Sequence, residues 1–285
     1  MGEALRWTVG YLERRGVENP RRSAEWLLSA SMHLSRVELY ARFDRELTAE
    51  ERVTLRSGLE RRAAGEPLQY VTGEMPFRHL VLQVRPGVFI PRPETEVLVD
   101  TVLEYLDRRV VPEPIVVDLC TGSCAIAASI AHERPLVHVF ATELVAETAA
   151  VARDNAERSR AGDRIRVLVG DLFAPLPRDL LGRVDVVVSN PPYVPTADLA
   201  CLPAEVASFE PMVALHGGPD GLAVVRRIAD EAHRWLRPGG LLAVETDTLR
   251  TKQAARLLAQ WYEGIEVRQD LTGRDRIAMG LRREA

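Results

Sequence analysis

The chain has 285 residues, 46% of them hydrophobic and 27% charged, which is enough apolar material for a buried core and argues against disorder. Lys plus Arg number 37 and Asp plus Glu 41, a formal net charge of −4 that gives no general grip on a phosphate backbone, so no direct nucleic-acid partner is expected. No apolar run approaches the ~18 residues of a membrane span, no signal-peptide pattern opens the chain, and Cys120, Cys124 and Cys201 have neither Cys-x-x-Cys nor histidine spacing, which argues against a metal and a disulfide framework. A monomeric cytoplasmic protein is the expectation.

Residues 1–70 read as a small helical domain. Leu5, Val9 and Leu12 lie at helical spacing, Gly16 marks a stop, and Ala24, Leu27 and Leu28 form a second stripe, followed by Val37, Leu39 and Tyr40. Thr48-Ala49-Glu50-Glu51 is a capping box leading into Val53, Leu55 and Leu59. The short basic pairs Arg21-Arg22 and Arg61-Arg62 read as solvated helix faces. Residues 71–93 form a predicted β-hairpin linker: Tyr70-Val71-Thr72-Gly73 and Leu80 to Val84 are β-like, and Pro86-Gly87 and Pro91-Arg92-Pro93 break any helix.

Residues 94–285 form the third region, where strands and helices alternate. Strands are predicted at 115–119, 137–143, 165–169, 184–189 and 240–245, with helices at 125–132, 146–158, 222–236 and 251–262. Two further strands, 265–268 and 276–281, suit an antiparallel hairpin at the sheet edge. This pattern predicts an α/β class and a Rossmann-like, doubly wound, mostly parallel sheet.

Such sheets bind ligands beyond the carboxyl ends of their strands. Asp118-Leu119-Cys120-Thr121-Gly122-Ser123-Cys124 takes a strand through a turn of small residues into a helix, so a ligand can approach backbone amides closely. Glu143, about 20 residues after the turn, ends the next strand where a carboxylate can accept from both hydroxyls of a ribose. Asp171, beside Leu172 after the third strand, can accept from an adenine amino group. Together they predict an adenosine-containing cofactor. The turn lacks Gly-x-Gly-x-x-Gly, which disfavours NAD, and no phosphate loop with Gly-Lys-Ser/Thr is present, which disfavours ATP.

The fourth strand ends in Ser189-Asn190-Pro191-Pro192-Tyr193. An amide or aromatic amino nitrogen is a poor nucleophile because its lone pair is delocalised. The Asn190 side-chain carbonyl and the Pro191 backbone carbonyl can accept its two N–H groups, fixing its direction and favouring the positive charge that grows on it. Pro191 and Pro192 lock φ and preorganise that carbonyl. Tyr193 can cover a flat acceptor group. The chemistry is nitrogen methylation from S-adenosylmethionine, with adenine and glutamine both open as acceptors at this point.

The whole chain resembles the HemK/PrmC-type release factor glutamine methyltransferases. The resemblance rests on residues 65–73 and 86–96, on Asp118 to Cys124, 170–173 and 189–193, then on 209–222, 237–240 and 273–276. It implies an N-terminal helical substrate-recognition domain, a hairpin linker and a Rossmann-like methyltransferase domain. It also implies N5-methylation of the glutamine in the Gly-Gly-Gln motif of bacterial peptide chain release factors. By matching position, Cys120 to Cys124, Glu143, Leu172 and Asn190 contact the cofactor, Asn190 to Tyr193 hold the substrate glutamine, and Phe89 and Arg92 line the same cleft.

Two departures from the family pattern stand out. Cys120 and Cys124 occupy the outer positions of a loop that usually reads Gly-Thr-Gly-Ser-Gly, and Cys124 is expected to crowd the methionine end of the cofactor. Glu245-Thr246-Asp247 stands where a glycine usually follows the acidic residue. These departures admit a divergent paralogue that methylates a small molecule or another protein. They also admit a binding protein that has lost the cofactor.

Overall fold

The computed structural model describes residues 2–109 and 111–284. The chain divides into two compact units, Met1–Glu74 with Pro203–Phe209, and Met75–Leu202 with Glu210–Ala285. Among the described residues no helix is long and apolar enough to cross a membrane.

The first unit holds α1 (Gly2–Arg14), α2 (Pro20–Met32), α3 (Arg36–Ala41), α4 (Ala49–Ala63) and α5 (Leu68–Thr72) around a core that includes Leu12, Leu27, Leu28, Leu55, Leu59 and Leu68. The capping box at Thr48 is present: its hydroxyl accepts from the Glu51 N–H at 3.2 Å, and the Glu51 carboxylate accepts from the Thr48 N–H at 2.8 Å. Val53 departs from the expected apolar stripe and is 70% exposed, because two residues before Leu55 is the opposite side of a helix. Tyr70-Val71-Thr72 is helical rather than extended. Gly73 takes the left-handed conformation and donates its N–H to the Gln69 carbonyl at 2.8 Å, closing α5 as a helix cap. The Arg62 side chain, expected on a solvated face, is buried. It donates to the Glu66 carbonyl at 2.7 Å and to the Glu205 carboxylate at 2.9 Å. That ion pair ties residues 203–209 into this unit, a pairing across the chain that no local pattern reveals.

A two-stranded hairpin follows, β1 (Glu74–Phe77) and β2 (Leu80–Gln83). Its turn residue Arg78 sends its guanidinium to Glu133 at 2.6 and 2.9 Å and to Asp100 at 2.7 Å. Asp100 lies on α6 (Glu96–Asp107), a helix that the strand pattern passes over. Its buried face (Leu98, Val99, Val102, Leu103, Leu106) has the period of an amphipathic helix against a sheet.

The second unit is built on β3 (Ile115–Leu119), α7 (Ala125–Glu133), β4 (His138–Glu143), α8 (Ala146–Arg158), β5 (Ile165–Val169) and β6 (Val184–Ser189). After α9 (Ala204–Phe209), which belongs to the first unit, come α10 (Met212–Leu215), α11 (Ala223–Trp235), β7 (Leu236–Glu245), α12 (Thr251–Leu258), β8 (Tyr262–Gln269) and β9 (Asp275–Arg282). The seven strands lie in the order β5-β4-β3-β6-β7-β9-β8. The first five are mutually parallel, β9 runs antiparallel to β7, and β8 pairs antiparallel with β9 as the expected edge hairpin. β7 begins at Leu236, earlier than expected, so the Pro238-Gly239-Gly240 stretch lies inside the strand, within the register shift between the Val184–Leu236 and Val186–Leu241 pairs to β6.

This order has a switch point. From β3 the chain moves outward through β4 and β5 on one side, then through β6 and β7 on the other. A crevice therefore opens past the ends of β3 and β6. The register brings the site residues together there: Leu119 pairs with Ser189 and Thr142, and Ser189 pairs with Val244. Cys120, Glu143, Asn190 and Glu245 thus share one edge of the sheet.

Candidate active site

A cavity of about 340 Å³ lies at this edge. Of the residues predicted from sequence, Phe89, Cys120, Gly122, Glu143, Asp171, Leu172, Asn190 and Pro192 line it. Asp118, Thr121, Ser123, Cys124 and Pro191 are buried behind that lining, and Tyr193 and Arg92 stand outside it, half-buried.

The loop after β3 is shaped by its backbone. Cys120, Gly122 and Cys124 all take the left-handed conformation, with φ of 58°, 55° and 69°. This explains why small residues suit the loop. Asp118 holds it from below: one carboxylate oxygen accepts from the Thr121 hydroxyl at 2.6 Å and the Ala127 N–H at 3.2 Å, while the other is buried with no partner. Burial pushes the Asp118 carboxyl up to about 7. A Cβ on Gly122 would meet nothing within 4 Å, so the turn faces open space that a ligand can occupy.

Cys124 does not line the cavity. Its side chain is fully buried in the hydrophobic core at the start of α7, so the expected crowding of the methionine end does not arise from it. Cys120 is the cysteine that faces the cavity. Burial, reinforced by the Glu143 carboxylate for Cys120 and by Asp118 for Cys124, pushes both thiols up to about 12. They stay protonated and unreactive.

Glu143 is held by two backbone groups. Its oxygens accept from the Gly122 N–H and the Val145 N–H, each at 3.0 Å. This fixes the carboxylate and leaves a further lone pair on each oxygen for a diol. Asp171 pairs with Arg227 of α11 at 2.7 Å, which sets its orientation at the cavity wall. Arg227 also lines the cavity, as do Met212 and Val213 of α10, which are 48% and 49% exposed. Sequence reasoning missed all three. The 209–222 segment resembles the family but carried no role, and Arg227 reaches the site only through the packing of α11.

Asn190 lines the same cavity. Its side-chain NH2 donates to the Thr95 hydroxyl at 3.1 Å, which leaves its carbonyl oxygen as an acceptor. The chain after it is clamped by the 215–218 stretch: the Val194 N–H donates to the Leu215 carbonyl and the Gly217 N–H to the Val194 carbonyl, both at 2.8 Å. Tyr193 is kept protonated, above all by burial and further by the Glu245 carboxylate. Arg92 lies 4.8 Å over the Phe89 ring and pairs with the Glu210 carboxylate.

Residues 3–73 match the family described as the PrmC N-terminal domain, and residues 81–202 match the methyltransferase small domain. The release factor glutamine methyltransferase of Moorella thermoacetica is 44% identical over 287 residues, covering 100% of this chain and 98% of that protein. The chain belongs to the release factor glutamine methyltransferase family. The protein of the same name from Geobacter sulfurreducens is 43% identical over 98% of this chain and 95% of its own. A methyltransferase from Pyrococcus furiosus, 18% identical, superposes with a TM-score of 0.50 over 72% of this chain and 89% of that one, a likeness of fold. As a member of this family the chain is a methyltransferase, and its cofactor is S-adenosylmethionine. The residues present fit that group: Gly122 opens onto empty space, and the fixed Glu143 carboxylate on the same wall is suited to a ribose.

Proposed function

We propose that this methyltransferase transfers a methyl group from S-adenosylmethionine to the N5 amide nitrogen of the glutamine in the Gly-Gly-Gln motif of a peptide chain release factor. One observation carries this reading: Asn190 borders the cavity with its NH2 committed to Thr95, so its carbonyl oxygen is the end left for an incoming NH2. The relatives with whole-length similarity are named for the same substrate and support it. A release factor substrate puts the reaction in the cytoplasm.

S-adenosylmethionine, when bound, supplies a methyl group on a positively charged sulfur that leaves as a neutral thioether. Glu143 would hold the ribose hydroxyls, and Asp171 would accept from the adenine amino group. Asn190 accepts one N–H of the glutamine amide through its side chain, and the Pro191 carbonyl accepts the other. Those acceptors turn the nitrogen lone pair toward the methyl group and stabilise the positive charge that develops as the new N–C bond forms and the S–C bond breaks. Tyr193 covers the flat amide, while Phe89 and Arg92 close the cleft beside it. No strong base is required, because the nitrogen loses its proton readily once it has gained the methyl group.

The test is incubation with methyl-labelled S-adenosylmethionine and a release factor. Label is expected on the Gly-Gly-Gln glutamine and absent from a factor with that glutamine changed to alanine. Labelling that survives the change removes the assignment. The relatives of whole-length similarity do not favour another substrate, and of the two altered loop positions Cys124 lies in the core while Cys120 lines the cavity.

A further inference from the structure

The Asn190 amide has two ends of nearly equal size and opposite polarity. An acceptor NH2 is held by the oxygen end and repelled by the nitrogen end. Something must therefore choose the rotamer. Resting on the function proposed above, we propose that Thr95 is a positioning residue for methyl transfer: its hydroxyl, oriented by Glu245, takes an N–H of Asn190 and turns the Asn190 carbonyl toward the substrate amide.

Three elements meet here: Thr95 at the entry to α6, Asn190 after β6, and Glu245 at the end of β7. Thr95 and Glu245 are buried. A threonine hydroxyl can donate or accept, so alone it would hold either end of Asn190. The neighbouring Glu245 carboxylate interacts with the Thr95 side chain, and because an ion only accepts, it is the group to which the proposed arrangement assigns the threonine proton. The hydroxyl oxygen is then left to receive, and it receives from the Asn190 NH2 at 3.1 Å. In the proposed arrangement the polarity runs one way, from Asn190 to Thr95 and on to Glu245.

The direction depends on the charge of Glu245. A protonated Glu245 no longer demands the threonine proton, and Asn190 is free to turn its NH2 inward. The groups that act on Glu245 are Thr95 and Arg276, which favour the ion, and Glu94 and Asp270, which oppose it; the Tyr193 hydroxyl is coupled to the same carboxylate. Its second oxygen is buried without a partner, so burial favours the neutral form and brings the carboxyl to about 7. Methyl transfer is therefore expected to rise with pH through the neutral range.

The experiment compares the full-length wild type with Thr95→Val, Thr95→Ser and Glu245→Gln. T95V is expected to lose about tenfold in kcat, the size of one hydrogen bond, with the affinity for S-adenosylmethionine within about twofold of wild type by calorimetry. T95S is expected to recover most of that loss. E245Q, which leaves Thr95 in place, is expected to flatten the rise of kcat with pH. The side-chain NH2 signals of Asn190, assigned by their loss in Asn190→Ala, are expected to shift in T95V and return in T95S, an outcome that needs no substrate. A T95V enzyme with wild-type kcat, a T95S enzyme as slow as T95V, unmoved Asn190 signals, or an E245Q profile that keeps its limb would each overturn the proposal. A wild type that leaves the release factor unlabelled removes the function instead; a wild type that labels it no faster than T95V removes only the role of Thr95.

Discussion

At the scale of single residues, Asn190 and Cys120 show two different constraints on one site. In the proposed reaction Asn190 supplies a polar atom whose position matters only when charge develops on the acceptor nitrogen. Asn190→Ala is expected to lower kcat by about 10²–10³-fold, the cost of one preorganised polar partner in a transition state, measured by single-turnover labelling of a release factor. A loss below about threefold would remove Asn190 from the reaction. Cys120 shows a backbone constraint. It is only partly buried and its φ of 58° is one that side chains with a Cβ adopt at a cost. Cys120→Gly is expected to gain about 1 kcal/mol in unfolding free energy. Denaturant melts would read this, and a destabilised variant would show that the thiol contributes more than the backbone loses. That Glu143, Asn190 and Pro192 gather at one cavity was legible in the sequence, because the proposed chemistry asks for those types: a carboxylate for a diol, an amide carbonyl and prolines for an NH2. The direction of a side chain was not. Cys124 reads as a cavity residue from its place in the loop, yet at the start of α7 its side chain lies in the core. Thr95 carries no signal of its own, because a threonine before a helix reads as a cap until its partner across the sheet is known.

At the scale of elements, the central parallel strands were legible because a strand buried on both faces is a short, mostly apolar run, as β3 and β6 are. α5 was not, because five residues hold no period and Tyr, Val and Thr favour strands. The 215–221 segment was recognised only as a resemblance, and the structure supplies its physical reason. It lies against the chain that follows Asn190, with Val194 and His216 bridged as in a parallel pair. A Cβ on Gly217 would stand 2.7 Å from the Pro192 carbonyl oxygen and the Tyr193 Cα, closer than side chains pack. Gly217→Ala must push that chain away. The expected outcome is a loss of about 1–3 kcal/mol in stability, faster hydrogen exchange at the Val194 and Gly217 amides, and a fall in kcat with little change in cofactor affinity. Retained exchange protection at both amides would show that the clamp tolerates the methyl group and that another contact holds the loop.

At the scale of the whole molecule, the site is a place where stability and activity pull on the same proton. Asp118 and Glu245 are buried carboxyls whose folded values are raised to about 7, in both cases chiefly by burial. Such groups favour the folded state fully at pH below their unfolded values of about 4, where both states hold the proton equally well. As pH rises from there, the unfolded chain ionises first, and this contribution is lost progressively until the folded groups ionise near 7. Other carboxyls work in the opposite sense. Asp220 is lowered to about 2 by Arg226 and the Leu222 N–H. Asp270, although burial alone pushes it up, is held below the usual range by Thr272, the Arg274 N–H and Arg276. These stabilise the fold above about pH 4 and lose that effect as pH falls through their folded values. The unfolding free energy is therefore expected to be greatest at mildly acid pH and to be lower at about pH 8 than at about pH 5, with the decline reduced in Asp118→Asn and in Glu245→Gln. Wild-type protein equally stable at both pH values would show that the two carboxyls are ionised throughout. The consequence reaches function through Glu245. The ion that orients Thr95, and through it Asn190, is the form that the buried site disfavours. The pH range in which methyl transfer becomes faster is then the range in which the fold becomes weaker, and Glu245→Gln should reduce both slopes together. A variant that flattens the stability slope and leaves the activity slope intact would separate the two and return Glu245 to a structural part alone.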